Sequence, residues 1–330
     1  MTVSVSEPAP IGMLGKQFVR YVSCGRSHSA CLTEDGRIYT WGGDYYGLEN
    51  GFPCLGLASE TDWAQKKKSV TVAHLPQLVK SMSDHFVMSI ACGGFHTVAI
   101  TDLGETFSWG TGDRGQLGHG DNLDHTTPTM VEALEGRRII AVECGDLHTL
   151  ALGSTREVFT WGAGDCAQLG HGTKTDLRVP RVVKALLGEG VQAIAAGCFH
   201  NGAINKACSV YTWGAGLYGR LGHGDDTDCT MPRLVEDLER KGIRCLAMGL
   251  YHSIAVADNG DMYTWGRGSE GQLGHEDKTK VELKPRALDS LEGQNVRAVS
   301  AGDYHSCALN GDPFPLPETP NTDQRKCSIM

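Results

Sequence analysis

Short apolar or alternating runs, separated by turn residues, recur along this chain. One example covers residues 87–91, 97–101 and 106–109, with glycine-containing turns between them. Runs of this length, bounded by glycine, are typical of consecutive antiparallel strands. A fourth strand is predicted after each of five regularly placed prolines, because proline is tolerated at strand starts and on sheet edges. The prolines are Pro76, Pro128, Pro180, Pro232 and Pro285.

This four-strand unit is repeated at a nearly constant period. A Gly-x-x-His motif recurs with histidines 68, 52, 52, 52 and 53 residues apart, and a Trp-Gly pair follows 13 residues after each of the first five. The histidines are His28, His96, His148, His200, His252 and His305, and the tryptophans are Trp41, Trp109, Trp161, Trp213 and Trp265. A period near 50 residues is typical of repeat architectures. Four short strands per unit predict an all-β propeller, with a solenoid as the alternative.

Glycine occupies two fixed places in each unit, three residues before the histidine and directly after the tryptophan. Glycine adopts positive φ without a Cβ penalty and lets backbones approach closely. We therefore expect positive φ at these turns, including Gly145.

Six Gly-x-x-His hairpins against five Trp-Gly strands predict about six blades, the closing blade being incomplete. An open or truncated ring is the alternative, and it would expose a strand edge. Residues 1–17 form an N-terminal segment that could add an outer strand, and residues 312–330 form a proline-rich tail. The propeller spans 18–311, with an initial hairpin at 18–35 and repeats at about 36–103, 104–155, 156–207, 208–259 and 260–311.

A third repeated element is Gly-Gln-Leu-Gly-His-Gly at 115–120, with close copies at 167–172, 219–224 and 271–275. Together with Cys-Gly-x-x-His-Ser/Thr and Tyr-Thr-Trp-Gly, it resembles the repeat of the regulator of chromosome condensation family over residues 18 to about 311. The resemblance implies a propeller that usually has seven blades. This chain of 330 residues is too short to supply seven units of its own period.

Composition excludes several classes of function. The 39 acidic and 30 basic residues give a net charge of −9, which argues against a nucleic-acid surface. No apolar run is long enough to span a membrane, and the N-terminus lacks the pattern of a secretory signal. We expect a cytoplasmic location, a nuclear one also being compatible.

The cysteines and histidines do not indicate chemistry. Cys24, Cys92 and Cys144 share a repeat position that later holds Ala or Met, which predicts a buried packing slot. No Cys-x-x-Cys, catalytic triad or phosphate-binding loop is present. The six equivalent histidines are interpreted as structural, so we expect no metal, no cofactor and no bond-making catalysis.

One insertion breaks the repeat. The distance from Trp41 to Pro76 is 35 residues, against 19 or 20 in later units. The extra residues include Trp63 and the cluster Lys66, Lys67 and Lys68. An aromatic residue beside lysines on a protruding loop is typical of a partner-binding contact. A tolerated, solvated loop is the alternative.

The chain ends Cys327-Ser328-Ile329-Met330. A Cys-a-a-X terminus with Met last predicts farnesylation of Cys327, an incidental free cysteine being the alternative. One lipid gives only marginal membrane binding, so we expect reversible membrane association or carriage by a prenyl-binding protein. This organisation is similar to that of the retinitis pigmentosa GTPase regulator, without its long acidic region.

The resemblance implies a non-catalytic protein-binding scaffold in small-GTPase signalling or trafficking. Guanine-nucleotide exchange, the activity of the family's founding member, is the alternative. Chromatin docking is not expected, because residues 1–10 contain no Lys or Arg. The plant ultraviolet-B photoreceptor carries Gly-Trp-Arg-His copies that are absent here. A ubiquitin ligase of the kind that carries such propellers would need several hundred further residues.

Overall fold

The computed structural model describes residues 11–15, 17–43, 53–57, 72–276 and 280–311. In this part of the chain every regular element is a strand or a single 3-10 turn. No described helix is long and apolar enough to cross a membrane. The all-β prediction is confirmed.

The strands form five four-stranded antiparallel sheets and one two-stranded sheet, each built from consecutive strands. We refer to these sheets as blades 1 to 6. Blades 1 to 3 comprise β1 (Val19–Cys24), β2 (His28–Thr33), β3 (Ile38–Gly43), β4 (Val72–Leu78); β5 (Val87–Cys92), β6 (His96–Thr101), β7 (Thr106–Gly110), β8 (His125–Met130); β9 (Ile139–Cys144), β10 (His148–Gly153), β11 (Val158–Gly162), β12 (Leu177–Val182). Blades 4 to 6 comprise β13 (Val191–Ala196), β14 (His200–Asn205), β15 (Val210–Gly214), β16 (Cys229–Leu234); β17 (Ile243–Met248), β18 (His252–Ala257), β19 (Met262–Arg267), β20 (Val281–Ala287); β21 (Val296–Ala301), β22 (Ser306–Asn310).

The described residues also form eight 3-10 turns, one before β1 and seven between strands. They are Gly12–Leu14, Pro53–Leu55, Lys80–Met82, Glu132–Leu134, Lys184–Leu186, Leu217–Gly219, Glu236–Leu238 and Asp289–Leu291. The described part of the N-terminal segment contains one 3-10 turn. Residues 1–10 and 16 lie outside the described residues, so the possible outer strand stays a prediction.

The second strands of blades 2 to 5 are buried on both sides. All six residues of β6, β10, β14 and β18 are buried, which explains why apolar residues do not alternate with exposed polar ones in these segments. The hydrophobic core lies between blades. One cluster joins Val98 and Ile100 of blade 2 to Ile139, Val142 and Trp161 of blade 3.

Two boundaries differ from the sequence prediction. The repeat prolines lie inside β4, β8, β12, β16 and β20 and do not precede these strands. Each of these strands lies at the edge of its sheet. The N–H that proline lacks can face away from the neighbouring strand there, so no hydrogen bond of the sheet is lost. The predicted repeats also begin at the Trp strand, whereas each sheet begins one hairpin earlier, because a sequence period does not mark where a sheet starts.

Blades 1 and 6 expose side chains whose equivalents in the other blades are buried. Val22 of β1 is 49% exposed, although its repeat equivalents, such as Val142 and Ile194, are at most 5% exposed. Leu309 of β22 is 47% exposed, whereas its equivalent Leu152 is 1% exposed. Cys24 is exposed as well, so the predicted packing slot holds for Cys92 but not at this end. In the described part of the chain, the incomplete sixth blade therefore leaves apolar side chains of β1 and β22 exposed.

Candidate functional site

The repeat histidines join each blade to the next. The Nε2 atom of each lies 2.8 or 2.9 Å from a side chain of the following blade. The partner is always the residue directly after the next histidine. The pairs are His28–Thr97, His96–Thr149, His148–Asn201, His200–Ser253 and His252–Ser306. We call this series the histidine ladder.

A second hydrogen bond, made by the partner side chain to a backbone carbonyl, shows which atom donates in each ladder contact. Asn201 donates its amide to the carbonyl oxygen of Gln168 at 2.6 Å, so its Oδ1 accepts from His148 Nε2–H. Thr149 likewise donates to the carbonyl of Gln116. Each ladder histidine therefore carries a proton on Nε2. Their five Nδ1 atoms are buried without a partner among the described residues.

Burial keeps the ladder histidines uncharged. It lowers the pKa of His28, His148 and His252 to about 4, and of His96 to about 3. His305 differs: it is exposed. No hydrogen bond joins it to Ser29 among the described residues, and the Ser29 hydroxyl donates to Cys24 instead. The ladder therefore ends at blade 6.

The Trp-Gly motif makes hydrogen bonds at the same interfaces, and the Gln-Leu-Gly-His motif makes hydrogen bonds within a blade. The indole N–H of each of four tryptophans donates to the carbonyl that also accepts from the ladder residue, at 2.8 or 2.9 Å. The pairs are Trp109–Cys54, Trp161–Gln116, Trp213–Gln168 and Trp265–Arg220. Within a blade, the histidine of Gln-Leu-Gly-His contacts a buried strand hydroxyl, as His171 contacts Thr160 at 2.9 Å. All three motifs thus make hydrogen bonds within or between blades.

The two glycine positions of the repeat require glycine for different physical reasons. The glycine after tryptophan has φ between +100° and +113° at all five positions, as expected. The glycine before histidine has no positive φ at any position, so that expectation is wrong. A Cβ on Gly145 would instead lie 2.0 Å from His148 Cε1 and 2.6 Å from the Gly197 carbonyl. This glycine is needed because a ring and the next blade approach the backbone closely.

The residues between Gly and His gather on one end of the blades, which we call the Gly-x-x-His face. Arg26 of blade 1 lies 3.7 Å from Asp146 of blade 3, and its guanidinium carbon is 5.6 Å from the Phe95 ring centre. Cys198 of blade 4 lies 3.3 Å from Asp303 of blade 6. Burial raises the pKa of Asp146, Arg26 opposes that shift, and Asp303 adds to it.

Aromatic and cationic side chains cluster on the part of this face formed by blades 4 to 6. The guanidinium carbon of Arg267 lies 5.6, 5.5 and 5.9 Å from the ring centres of Tyr218, Tyr251 and Tyr304. Tyr218 and Tyr251 meet edge to face at 5.3 Å. Arg220 lies 4.6 Å from the Tyr251 ring centre. We call these five residues the tyrosine–arginine surface.

Arg220 supports this surface from below. Its side chain is 2% exposed, and it donates to the carbonyls of Leu217 and Leu250 at 2.9 and 2.8 Å. No ion pair to it is present among the described residues. Burial lowers the pKa of Arg220, yet an arginine stays charged in proteins. A buried guanidinium therefore fixes the position of the Tyr251 ring by a cation–π contact.

Tyr218 is held in a strained backbone conformation, with φ 65° and ψ 16°. The equivalent positions in neighbouring blades, Arg114, Cys166 and Glu270, have no positive φ. A non-glycine residue in this region costs on the order of 1–3 kcal/mol, and such strain concentrates at functional sites. The strain here places an aromatic ring against Tyr251.

The sequence contained a signal for this surface that motif reading overlooked. Arg220 stands where Gln116, Gln168 and Gln272 stand in other copies. Tyr251 and Tyr304 occupy the same variable position before the repeat histidine. Their convergence could not be derived from sequence, because it depends on the angle between blades.

The predicted partner-binding loop lies outside the described residues, at Trp63, Lys66, Lys67 and Lys68. So does Cys327. Both stay predictions. Among the described residues, no group of three or more His, Cys, Asp or Glu side chains could hold a metal ion.

Solved structures share this architecture. The crystal structure of human WBSCR16 matches with a TM-score of 0.75 and 25% identity, covering 89% of this chain and 72% of that one. The structure of Prp20p from Saccharomyces cerevisiae matches with a TM-score of 0.76 and 19% identity, covering 92% and 71%. The second likeness shows the fold alone.

The alignments with sequence relatives cover most of this chain, but they cover less than two thirds of each relative's own length. The human E3 ubiquitin-protein ligase HERC2 is 38% identical over 309 residues, which are 92% of this chain and 6% of HERC2. The Ultraviolet-B receptor UVR8 of Arabidopsis thaliana is 36% identical over 295 residues, 89% of this chain and 63% of the receptor. Residues 2–314 match the family profile described as the RCC1-like domain. The chain belongs to the RCC1-like domain family.

Proposed function

We propose that this chain is a non-catalytic protein-binding propeller whose docking site is the tyrosine–arginine surface, and that its partner is a small GTPase. The observation that carries the docking site is three tyrosines arranged around Arg267 on one face, with Tyr304 48% exposed. Tyrosine and arginine are the residues enriched at binding hot spots.

The surface is suited to binding because it is already ordered. Arg220 holds Tyr251 from beneath, and Arg267 is fixed by a 2.9 Å contact to Glu270. Side chains that are held before binding lose less conformational entropy on association. The assignment to small GTPases is supported by family membership. It is also supported by the structural neighbour Prp20p, which binds Gsp1p and histones.

Removing a central side chain of the tyrosine–arginine surface should weaken binding without unfolding the protein. We expect Tyr251→Ala and Arg267→Ala each to weaken binding of the GTPase partner by at least about ten-fold, the effect of a hot-spot residue. The measurement is interferometry against a panel of purified small GTPases in GDP-bound, GTP-analogue-bound and nucleotide-free forms.

Arg137→Ala is the matched control for this prediction. Arg137 lies 5.1 Å from the Phe159 ring centre, so its replacement removes the same kind of contact outside the tyrosine–arginine surface. It should leave affinity unchanged. Failure of every GTPase in the panel to bind, or binding that Tyr251→Ala does not weaken, would refute the proposal.

Nucleotide exchange is the alternative activity of the same surface. A pure scaffold should bind the GTPase equally well with and without nucleotide, whereas an exchange factor binds the nucleotide-free form most tightly and accelerates release. Release of a fluorescent guanine nucleotide, measured with wild type and Tyr251→Ala, separates the two.

Membrane association through Cys327 completes the proposal. Farnesylation would add an apolar chain at roughly 0.8 kcal/mol per buried CH₂ group, enough for transient binding. In protein from eukaryotic cells, we expect mass spectrometry of the C-terminal peptide to show a farnesyl thioether on Cys327, and no such modification in Cys327→Ser. An unmodified wild-type mass would remove the membrane component and leave the docking proposal intact.

A further inference from the structure

Blade 4 carries an arginine, Arg220, at a repeat position that holds glutamine in blades 2, 3 and 5. The three glutamines make one shared contact, in which the side-chain oxygen accepts from the backbone N–H two residues earlier at 2.9 Å. The pairs are Gln116 with Arg114, Gln168 with Cys166 and Gln272 with Glu270. Arginine has no side-chain acceptor. Arg220 therefore cannot make this bond to the equivalent residue, Tyr218.

The loop of blade 4 makes the reverse hydrogen bond. Arg220 Nε donates to the carbonyl oxygen of Leu217 at 2.9 Å. That carbonyl belongs to the same peptide group as the Tyr218 N–H. In three blades this peptide group presents its N–H to the side chain, whereas in blade 4 it presents its C=O. The peptide between Leu217 and Tyr218 is therefore flipped relative to the other copies.

The flip accounts for the backbone conformation of Tyr218. The turn around it is closed by the Gly219 N–H, which donates to the Gly216 carbonyl at 2.8 Å. The same turn bond is made in the other three blades by the N–H groups of Gly115, Ala167 and Gly271. Flipping the central peptide of such a turn gives a type II turn, whose third residue has φ of about +80° and ψ of about 0°. Tyr218 has φ 65° and ψ 16°.

The main chain of Arg220 otherwise follows the repeat. Its carbonyl oxygen accepts from Trp265 Nε1 and from Ser253 Oγ, each at 2.8 Å, as the glutamine carbonyls do at other interfaces. Arginine is thus not required for the packing between blades, since glutamine serves there elsewhere. What arginine adds is the flipped peptide and the position of the Tyr218 ring, which meets Tyr251 edge to face at 5.3 Å.

We propose that Arg220 is the positioning residue of the docking site, and that it presents the Tyr218 ring to the partner by selecting the flipped peptide. This inference rests on the proposed function, because it names the residue that builds the tyrosine–arginine surface. Tyr218 is the contact residue, and Arg220, which is buried, acts through it. Restoring the repeat glutamine should return the loop to the conformation of the other blades and withdraw the ring.

The first measurement is the backbone conformation of Tyr218 by NMR, which needs no partner. The chain contains nine tyrosines, so labelling with ¹³C,¹⁵N-tyrosine gives few signals, and Tyr218→Phe assigns the relevant one. We expect the Cα chemical shift and the HN–Hα coupling of a positive φ in wild type, and those of a negative φ in Arg220→Gln. A Tyr218 signal that is the same in both proteins would overturn the inference.

The second measurement pairs affinity with thermal stability. Arg220→Gln should weaken binding of the GTPase partner at least about ten-fold, the effect of losing a hot-spot contact. Its melting temperature should not fall, because the change removes backbone strain and a buried charge together. A lowered melting temperature would make Arg220 a structural residue and would overturn the positioning role.

Tyr218→Gly tests the contact residue directly. Glycine tolerates the positive φ but has no ring, so this variant should keep the flipped peptide and lose affinity to the same extent as Arg220→Gln. Unchanged affinity in either variant would contradict the proposal.

Arg233→Gln is the matched control for the loss of charge. Arg233 lies on β16 of the same blade, where its side chain is 50% exposed and 3.6 Å from Asp225. The same substitution at this position should change neither the Tyr218 signal nor the affinity.

The inference and the proposed function can fail separately. If wild type binds no small GTPase, the proposed function is refuted, and the Tyr218 signal still decides whether Arg220 sets the conformation of the loop. If Tyr251→Ala weakens binding but Arg220→Gln does not, the docking site stands and the positioning role is overturned.

Discussion

Acidification from pH 6.5 to pH 4 should unfold this propeller. Each ladder histidine has a folded-state pKa well below its ordinary value of 6.5, because burial disfavours the charged ring. The unfolded chain therefore binds more protons than the native one in this range. The stabilising contribution is fully present above pH 6.5 and is lost as the pH falls to about 4.

The size of the effect follows from the shifts. A shift of about 2.5 pH units corresponds to roughly 3 kcal/mol for each histidine. Four such residues together correspond to about 12 kcal/mol, which is comparable with the 5–15 kcal/mol that stabilises an ordinary domain. Protonation would also place a second N–H on Nδ1, which has no acceptor in any of these five rings among the described residues.

The measurement is the free energy of unfolding by urea at a series of pH values. His148→Gln removes one titrating ladder group while its amide can still donate to Asn201, so the acid midpoint should move to lower pH. His85→Gln is the control, since His85 lies outside the ladder with its side chain 35% exposed. Wild-type stability that stays constant from pH 6.5 to pH 4 would contradict this explanation.

Gly145→Ala should destabilise the protein by more than about 3 kcal/mol. Its new methyl group would overlap both the His148 ring and the Gly197 carbonyl of the next blade. Neither can move away, because His148 is bound to Asn201 and Gly197 is held by backbone pairing to His200. Overpacking a rigid site usually costs 1–3 kcal/mol, and here the histidine bond is lost as well.

A second glycine separates the steric cause from backbone strain. Gly136 has φ +74° and nothing within 4 Å of its Cβ position, so Gly136→Ala should cost only about 1 kcal/mol. Urea unfolding midpoints of the two variants give the comparison. If Gly136→Ala is the more damaging change, close packing around Gly145 is not what requires glycine there.

The sequence was sufficient to predict the blades because their strands are local. Each hairpin pairs segments close in the chain, and apolar runs separated by turn residues mark the first three strands of a blade. The interpretation of His148 and Trp161 as structural residues rests on repetition, since equivalent residues in equivalent blades have equivalent environments. The count of six hairpins against five Trp-Gly strands predicted the incomplete blade.

Contacts between blades could not be read from the sequence. The ladder joins residues 53 or more positions apart, and the repeat pattern gives no distance across an interface. For the same reason, Gly145 was assigned to a positive φ when its actual constraint is a ring and a carbonyl from the neighbouring blade.

The sequence by itself determined the all-β repeat, the family and the positions of the structural residues, because these depend on local patterning. Only the tertiary structure decided that Tyr251, Tyr304 and Arg267 share one surface. This surface arises where blades meet. Its geometry depends on how one blade is placed against the next, which packing fixes and local sequence does not encode.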